Sequence, residues 1–441
     1  MAELRFPAPF LSLPYRNSTG EGVRVYIRTY GCTLNQADSD IISSVLSAEG
    51  MNLSANERDA DAIVVNTCTV KNATSQKILY KLSQLENSGK KVVVTGCMAS
   101  ANRDLIERYA PNASIVTAPN AARIWEAVES KERMVLDSYS KVNRLGIYAP
   151  GSGPVARIPI SDGCTSSCTF CETRFARGGL NSFPERLILK AIEGSVANGA
   201  REIQLTSQDT GAYGLDRNTD IARLMHAITR IEGDFKVRVG MLNPEHLHRY
   251  IDGFCESMCD RRFYRFAHIP IESGSNPVLK AMGRHYTVEE FESHVERLRD
   301  SVPGIAIETD IIVGFPTETE KDFKDTVGFI GRCRPEVTNV SRFGARPHAP
   351  SSRMVQNSTE TINSRSKELS RVVRHVQNET NKGLIGSSMD VLITESNSKS
   401  MNGRCGSYRQ VVIPSGRDLG LEIGGTYNML IKAASANVLY A

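Results

Sequence analysis

Three cysteines sit close enough along the chain to serve one metal centre: the segment GCTSSCTFC places Cys164, Cys168 and Cys171 at C-x3-C-x2-C spacing in a single short loop. Thiolates on such a loop can each reach a different iron of a cubane, and three ligands for four irons leave one iron open to a substrate or cofactor. Zinc is the competing metal, but a structural zinc site wants four closed ligands. No fourth ligand has suitable spacing here; His268 and His285 lie among candidate motifs without a ligand relation to the triad. An aromatic residue, Phe170, precedes the last cysteine.

Three further cysteines, Cys32, Cys68 and Cys97, occur singly, each just after an apolar run: VRVYIRTYG, DAIVVNTCTV and KVVVTGCMA. Ligands of open α/β sheets bind beyond the carboxyl ends of the strands, so three cysteines from three loops are expected to converge there. The competing reading is three small buried residues at tight strand ends, since free cysteine is among the most buried types. Ten cysteines in a chain of this kind argue against a disulfide framework and for metal ligation or catalysis. Cys255 and Cys259, at i and i+4 on one helix face, are assigned with Cys333 to core packing, and Cys405 to a surface or barrel thiol.

The elements that must hold these residues follow from periodicity. Near the N-terminus, apolar strands alternate with helices expected near Asp38–Leu46, Ser75–Leu85 and Asp104–Tyr109, which indicates a parallel α/β sheet covered on both faces. A Pro/Gly linker, APGSGPV over Ala149–Val155, marks a boundary. The segments REIQLTSQ, FKVRVGM, YRFAHIPI, IAIETDIIVGFP and EVTNVSRF then give a partial βα-barrel rhythm, and βα barrels place their sites at strand ends. A charged helix, SRSKELSRVVRHVQNETNK, leads to a final stretch of short alternating strands read as a small β-barrel. The fold class is therefore α/β, in three domains: 23–135, 150–382 and 383–441.

At 441 residues, with 40% hydrophobic and 23% charged residues, the composition is globular and excludes a disordered chain. A formal charge of +4 neither demands nor excludes an anionic partner. No apolar run is long enough to span a membrane, and the first 22 residues lack a targeting pattern, so a cytoplasmic protein without membrane association is expected.

Together, TYGCTLNQADSD, NTCTV, VVVTGCMA, GCTSSCTFCETRFARGGLNSFP, IPIESGSNPVLKAMGRHYT and ETDIIVGFPTET resemble the radical S-adenosylmethionine methylthiotransferase family from about residue 23 to the end, with a C-terminal region similar to the RNA-binding TRAM domain. The wording YGCTLNQADSD is most similar to the archaeal and eukaryotic branch that acts on N6-threonylcarbamoyladenosine beside the tRNA anticodon, and an ending at SANVLYA without an anchor suits an archaeal-type member. The resemblance implies two 4Fe-4S clusters, one on Cys164, Cys168 and Cys171 whose open iron binds S-adenosylmethionine, and an auxiliary one on Cys32, Cys68 and Cys97 that carries the transferred sulfur. It implies a radical that takes hydrogen from adenine C2, an anticodon loop with its base turned out, and an electron donor such as a flavodoxin or ferredoxin; the sulfur source is left open.

By the same resemblance the cofactor is met by Phe170, Ser207, Gln208, Asp209, Glu272, Ser273, Asp310 and Gly314, several of which could equally be loop caps or turns. Arg174, Arg177, Arg284, Arg404, Tyr408 and Arg409 are the candidate RNA contacts, and Arg365, Lys367, Arg371 and Arg374 form a weaker basic stretch. Glu172 and Glu272 depart from the family's usual residues. Two alternatives stay open: a relative acting on isopentenyladenosine in tRNA or on a ribosomal-protein aspartate, and a noncatalytic iron-sulfur protein for RNA binding or electron transfer.

Overall fold

The computed structural model describes residues 22–70, 72–138, 144–151, 153–414 and 419–441; the N-terminal stretch read for targeting signals and Ser152 of the linker lie outside them. The apolar runs near the N-terminus become β1 (Arg24–Thr29), β2 (Asn52–Leu53), β3 (Ala62–Thr67), β4 (Lys91–Gly96), β5 (Ser114–Val116) and β6 (Val135–Leu136) of one parallel sheet, ordered β2-β1-β3-β4-β5-β6. Every residue of β3 is buried, as a strand covered on both faces must be. The helices run Thr33–Ala48, Asn72–Glu86 and Arg103–Tyr109, so the first two start earlier than their apolar periodicity suggests. Polar first turns, TLNQ and NATS, hid those starts. β2, β5 and β6 are too short to show a period.

The central region begins with β7 (Val155–Pro159), a strand not expected from sequence, and the two-residue antiparallel pair β8 (Ser161–Asp162) and β9 (Asn181–Ser182). The five expected segments form β10 (Glu202–Thr206), β11 (Lys236–Arg238), β12 (Phe266–His268), β13 (Ala306–Val313) and β14 (Val337–Arg342). These make two parallel three-stranded sheets, β7-β10-β11 and β12-β13-β14, joined by a parallel bridge between Val237 and Phe263. The result is a six-stranded partial barrel packed by helices around one continuous apolar core. Cys255 and Cys333 lie in that core, but Cys259 is exposed at a helix end, with Sγ 3.6 Å from Ser301 O, contrary to its expected burial.

The long helix Thr359–Lys382, capped by Ser358, lies against β14 and carries the chain to the last region. There β15 (Ser388–Ser396), β16 (Met401–Cys405), β17 (Gln410–Ile413), β18 (Thr426–Leu430), β19 (Ala433–Ala434) and β20 (Leu439–Tyr440) form a curled sheet around its own core, which includes Cys405. A bulge between Ile393 and Glu395 interrupts the register of β15, the kind of break that bends a strand. Arg365, one of the basic stretch, is buried and paired with Glu318 at 2.8 Å, so it is not available to RNA.

What aligns the first sheet with the barrel is a set of four charges, three of them buried. Asp38 on the first helix pairs with Arg144 and, at 2.5 Å, with Arg177; Arg144 in turn pairs with Asp162 of β8. Burial alone would raise the Asp38 carboxyl, but Arg144 and Arg177 hold it below its ordinary value. Removing one partner of such a set strands charge in the interior. Asp38→Ala is therefore expected to destabilise the protein by about 3–5 kcal/mol, read as the urea unfolding midpoint by circular dichroism; an unchanged midpoint would show that Asp38 does not anchor the two arginines.

Candidate radical and sulfur-transfer site

The C-x3-C-x2-C loop follows β8 and is pinned on both sides. Gly163 enters it at φ 73, where a Cβ would lie 2.1 Å from Gly179 O, so only glycine fits. Thr169 donates from N to Met282 O and from Oγ1 to Ala281 O, each at 2.9 Å, and its own carbonyl accepts from Ser351 N. Two residues missed in the sequence clasp the loop from the turn after β11: Asn243 Nδ2 donates to Ser166 Oγ at 2.9 Å, and His246 Nε2 lies 3.2 Å from Thr165 Oγ1. A conventional turn sequence, NPEH, gave no sign of this.

The sulfurs are surrounded by donors suited to a thiolate. Ser166 N donates to Cys164 Sγ at 3.4 Å, Thr173 N to Cys171 Sγ at 3.3 Å, and Arg284 Nη1 to Cys168 Sγ at 3.4 Å. Burial pushes the free Cys164 thiol up to about 12 and raises Cys168 and Cys171 also, with Arg284 opposing the rise at Cys168. Deprotonation is thus left to be coupled to metal binding, as thiolate ligation requires. Arg284 was an expected RNA contact; instead its side chain is 7% exposed, lies over the Tyr286 ring and donates to Pro270 O.

The second triad assembles at the carboxyl edge of the first sheet. Cys32 caps the helix Thr33–Ala48, Cys68 follows β3, and Cys97 opens the helix after β4. Gly31, at φ 109, lies so close to Cys68 that a Cβ would be 2.9 Å from its Sγ. Burial pushes Cys68 up to about 11, with smaller rises from its neighbours Cys97 and Cys32. Arg177 Nε donates to Cys97 Sγ at 3.5 Å and its Nη2 to Asn35 Oδ1 at 2.8 Å. With its side chain 1% exposed, Arg177 cannot serve as the expected RNA contact. Among the described residues no three His, Cys, Asp or Glu side chains are grouped to hold a single metal ion, so neither triad is closed up as a single-ion site.

A cavity of about 730 Å³ lies between the loops that follow the two triads: Thr69 and Val70, just after Cys68, form one wall, and Phe170, Cys171 and Glu172 another. Glu272 and Asp310 line its barrel side. Glu272 holds φ 71, a conformation rare for a side chain of its kind, and burial pushes its carboxyl up to about 7 against the opposing charge of Arg284. Asp310 is fixed by His268 Nε2 at 2.7 Å and Asn339 Nδ2 at 2.9 Å.

Of the other expected cofactor contacts, Ser207 Oγ, Gln208 Oε1 and Asp209 Oδ2 are buried beyond β10 without hydrogen-bond partners among the described residues, which suits a polar ligand. Asp209 Oδ1 also caps its own turn through Gly211 N. Two others already have protein neighbours. Ser273 is 1% exposed, its hydroxyl accepting from Ser275 N and lying 3.5 Å from Thr326 Oγ1. Gly314, at φ 79, leaves room for Ile362, whose Cγ1 would be 2.4 Å from a Cβ there, so the space is filled by protein.

Among the RNA candidates, Arg174 is exposed beside the triad, and Arg404 and Arg409 are half-buried on the C-terminal sheet. Tyr408 does not offer a free stacking face. Its ring packs on Tyr264 and Phe266, centroids 4.9 and 5.0 Å away, and its hydroxyl accepts from Gln204, near the amino ends of the barrel strands and away from the cysteines. Arg346, not singled out in the sequence, bridges the two sides: it bonds Asn72 Oδ1 and, at 2.5 Å, Val70 O, while Glu172, Cys68 and Cys171 act on its charge.

The donor at Cys168 carries a testable consequence. Positive charge and hydrogen bonds at cluster sulfurs favour the reduced state, so Arg284→Met should make a cluster reconstituted on this loop harder to reduce, on the order of tens of millivolts. A redox titration followed by electron paramagnetic resonance reads this directly; an unshifted midpoint would show that the guanidinium does not act on the sulfur.

Residues 24–118 match the Uncharacterized protein family UPF0004 and residues 158–330 the Radical SAM superfamily. A protein of Methanothermobacter thermautotrophicus named probable threonylcarbamoyladenosine tRNA methylthiotransferase is 37% identical over 428 residues, covering 96% of this chain and 100% of its own. The Homo sapiens threonylcarbamoyladenosine tRNA methylthiotransferase is 33% identical over 417 residues, covering 91% of this chain and 71% of its own. Among solved structures, the radical S-adenosylmethionine methyltransferase TsrM of Kitasatospora setae, with cobalamin and a 4Fe-4S cluster bound, superposes with a TM-score of 0.57 at 14% identity, over 75% of this chain and 74% of its own, a likeness of fold alone. Both family matches and the near full-length similarity agree: the chain belongs to the radical S-adenosylmethionine methylthiotransferase family, in the branch of the threonylcarbamoyladenosine tRNA methylthiotransferases.

Proposed function

We propose that this protein converts N6-threonylcarbamoyladenosine at position 37 of tRNA to its 2-methylthio derivative, with one 4Fe-4S cluster on Cys164, Cys168 and Cys171, a second on Cys32, Cys68 and Cys97, and S-adenosylmethionine as cofactor. The observation that carries the reading is the shared cavity, whose walls include both Cys171 and the residues that follow Cys68. When bound, these groups supply a hydrogen-abstracting carbon radical at the first triad and sulfur with a methyl group at the second.

The protein's own residues hold the target between them. A stacked base is out of reach of either triad, so the adenine must be turned out into the cavity. Phe170 contributes an apolar wall there, and Ser207, Gln208 and Asp209 offer the cofactor buried polar atoms without a hydrogen-bond partner among the described residues, Asp209 Oδ2 lying 3.7 Å from His246 Nε2. Arg284 at Cys168 and Arg177 at Cys97 offset negative charge at the two sets of sulfurs, so each triad receives a hydrogen bond from one guanidinium, with Arg346 acting through its charge on Cys68 and Cys171 as well. In this reading exposed Arg174, beside the first triad, meets RNA phosphates near the cavity, while Arg404 and Arg409, which flank Tyr408 at the other end of the barrel, would meet a more distant part of the tRNA.

The reading divides the chain into units at 23–135, 150–382 and 383–441, a division supported by separate apolar clusters in the first sheet, the barrel and the C-terminal sheet. Electrons would come from a flavodoxin- or ferredoxin-type donor. Cytoplasmic work suits ten free cysteines, and among the described residues no helix is long and apolar enough to cross a membrane.

Anaerobic reconstitution tests the assignment. Wild-type protein should hold about eight irons and the Cys32→Ala, Cys68→Ala, Cys97→Ala variant about four. That variant should still cleave S-adenosylmethionine under dithionite yet leave no methylthio nucleoside in digested tRNA, whereas replacing Cys164, Cys168 and Cys171 should abolish cleavage. Methylthio nucleosides made by the first variant would sink the two-cluster reading.

A further inference from the structure

The cavity has an uneven charge pattern. Each acid that lines it is answered on the barrel side: Asp310 by His268, Glu272 by Arg284 at 3.9 Å, and Glu172 by the charge of Arg346. Arg342, at the carboxyl end of β14, lines the same cavity and has no carboxylate within 4.0 Å among the described residues. One edge of its guanidinium is held by Asn363 Oδ1 at 2.6 Å, on the helix Thr359–Lys382, which fixes the direction of the fork. The Nδ2 of Asn363, itself a lining residue, adds a neutral donor beside it.

A positioned guanidinium without an acid is suited to a planar anion, which it can grip through two parallel N–H donors. The substrate reading given above supplies one. A threonylcarbamoyl group carries the α-carboxylate of threonine, whereas an isopentenyl group is wholly apolar and unmodified adenosine has nothing at that place.

We infer that Arg342, positioned by Asn363, is the specificity determinant of the site and binds the carboxylate of the threonylcarbamoyl substituent when the adenine occupies the cavity. The inference rests on the substrate proposed above and makes no demand on either cluster. A neutral substituent at this place would meet the exposed guanidinium of Arg342 without offering it a charged acceptor, so binding of such a substrate is expected to gain nothing there.

Binding to the metal-free full chain tests it. Anticodon stem-loops bearing threonylcarbamoyladenosine, isopentenyladenosine or plain adenosine would be titrated by fluorescence anisotropy at fixed salt. Wild type should prefer the carboxylate-bearing stem-loop by about tenfold to a hundredfold, the usual worth of charge-assisted hydrogen bonds. Arg342→Gln should collapse that preference and Arg342→Lys should retain part of it. If Arg342→Gln weakens all three stem-loops equally, the side chain is a phosphate contact and the inference is overturned; if the variant keeps the wild-type preference, it is overturned likewise. Absence of any preference in wild type would instead remove the threonylcarbamoyl substrate itself, and the inference with it.

Discussion

Two sets of thiols can act on one substrate only if the domains that carry them are held in fixed relation, and here that constraint is met by buried charge. Asp38 on the first sheet's helix and the guanidinium groups of Arg144 and Arg177 form a desolvated set, closed by the partly buried Asp162 at the entry to the barrel loop. Such a set contributes little net stability, since removing the charges from water costs nearly what their attraction returns. Its value is geometric. Ion pairs with this burial tolerate little sliding, because each displaced partner is left as an unpaired charge in a low-dielectric interior. Arg177 extends the set to a sulfur, since the same side chain that pairs with Asp38 donates to Cys97.

From that alignment the rest of the site follows. The loop after Cys68 faces the loop that carries Cys171, and Arg346 ties the first to the segment beyond β14 through Val70 and Asn72. The space left between is the cavity. Its barrel wall is acidic but internally paired, with Glu272 raised by burial, while its outer wall at the end of β14 is cationic. Glu172 is buried and accepts from His348 N at 3.4 Å; its charge is offset by Arg346 and is not left bare beside the sulfurs.

The C-terminal sheet is fastened to the opposite end of the barrel. Tyr408 sits among Tyr264, Phe266 and Glu202, and Arg265 N donates to Gly406 O. Gln377 and Asn381 of the long helix bind backbone carbonyls at 435 and 436. An aromatic residue with a polar tip reads from sequence as a stacking platform for RNA, yet the same chemistry makes a good domain joint, buried on one side and hydrogen-bonded on the other. Local sequence does not distinguish the two uses.

The sequence by itself determined the chemistry. Short-range spacing placed Cys164, Cys168 and Cys171 on one loop, and the position of Cys32, Cys68 and Cys97 after apolar strands put them at one sheet edge, because strand polarity and loop length are local properties. It also indicated the strands of the barrel except β7, whose short run directly after a Pro/Gly linker gave no clear period. Only the tertiary structure decided what the charged and small residues do. Arg177 and Arg284 turned from RNA contacts into partners of sulfur, Gly314 into room for Ile362, and Arg346 and Arg342 into walls of the cavity, since each of these roles depends on a partner dozens to hundreds of residues away. A lone arginine has the same appearance in sequence whether water, an aspartate or a ligand will answer its charge, and only packing makes that choice.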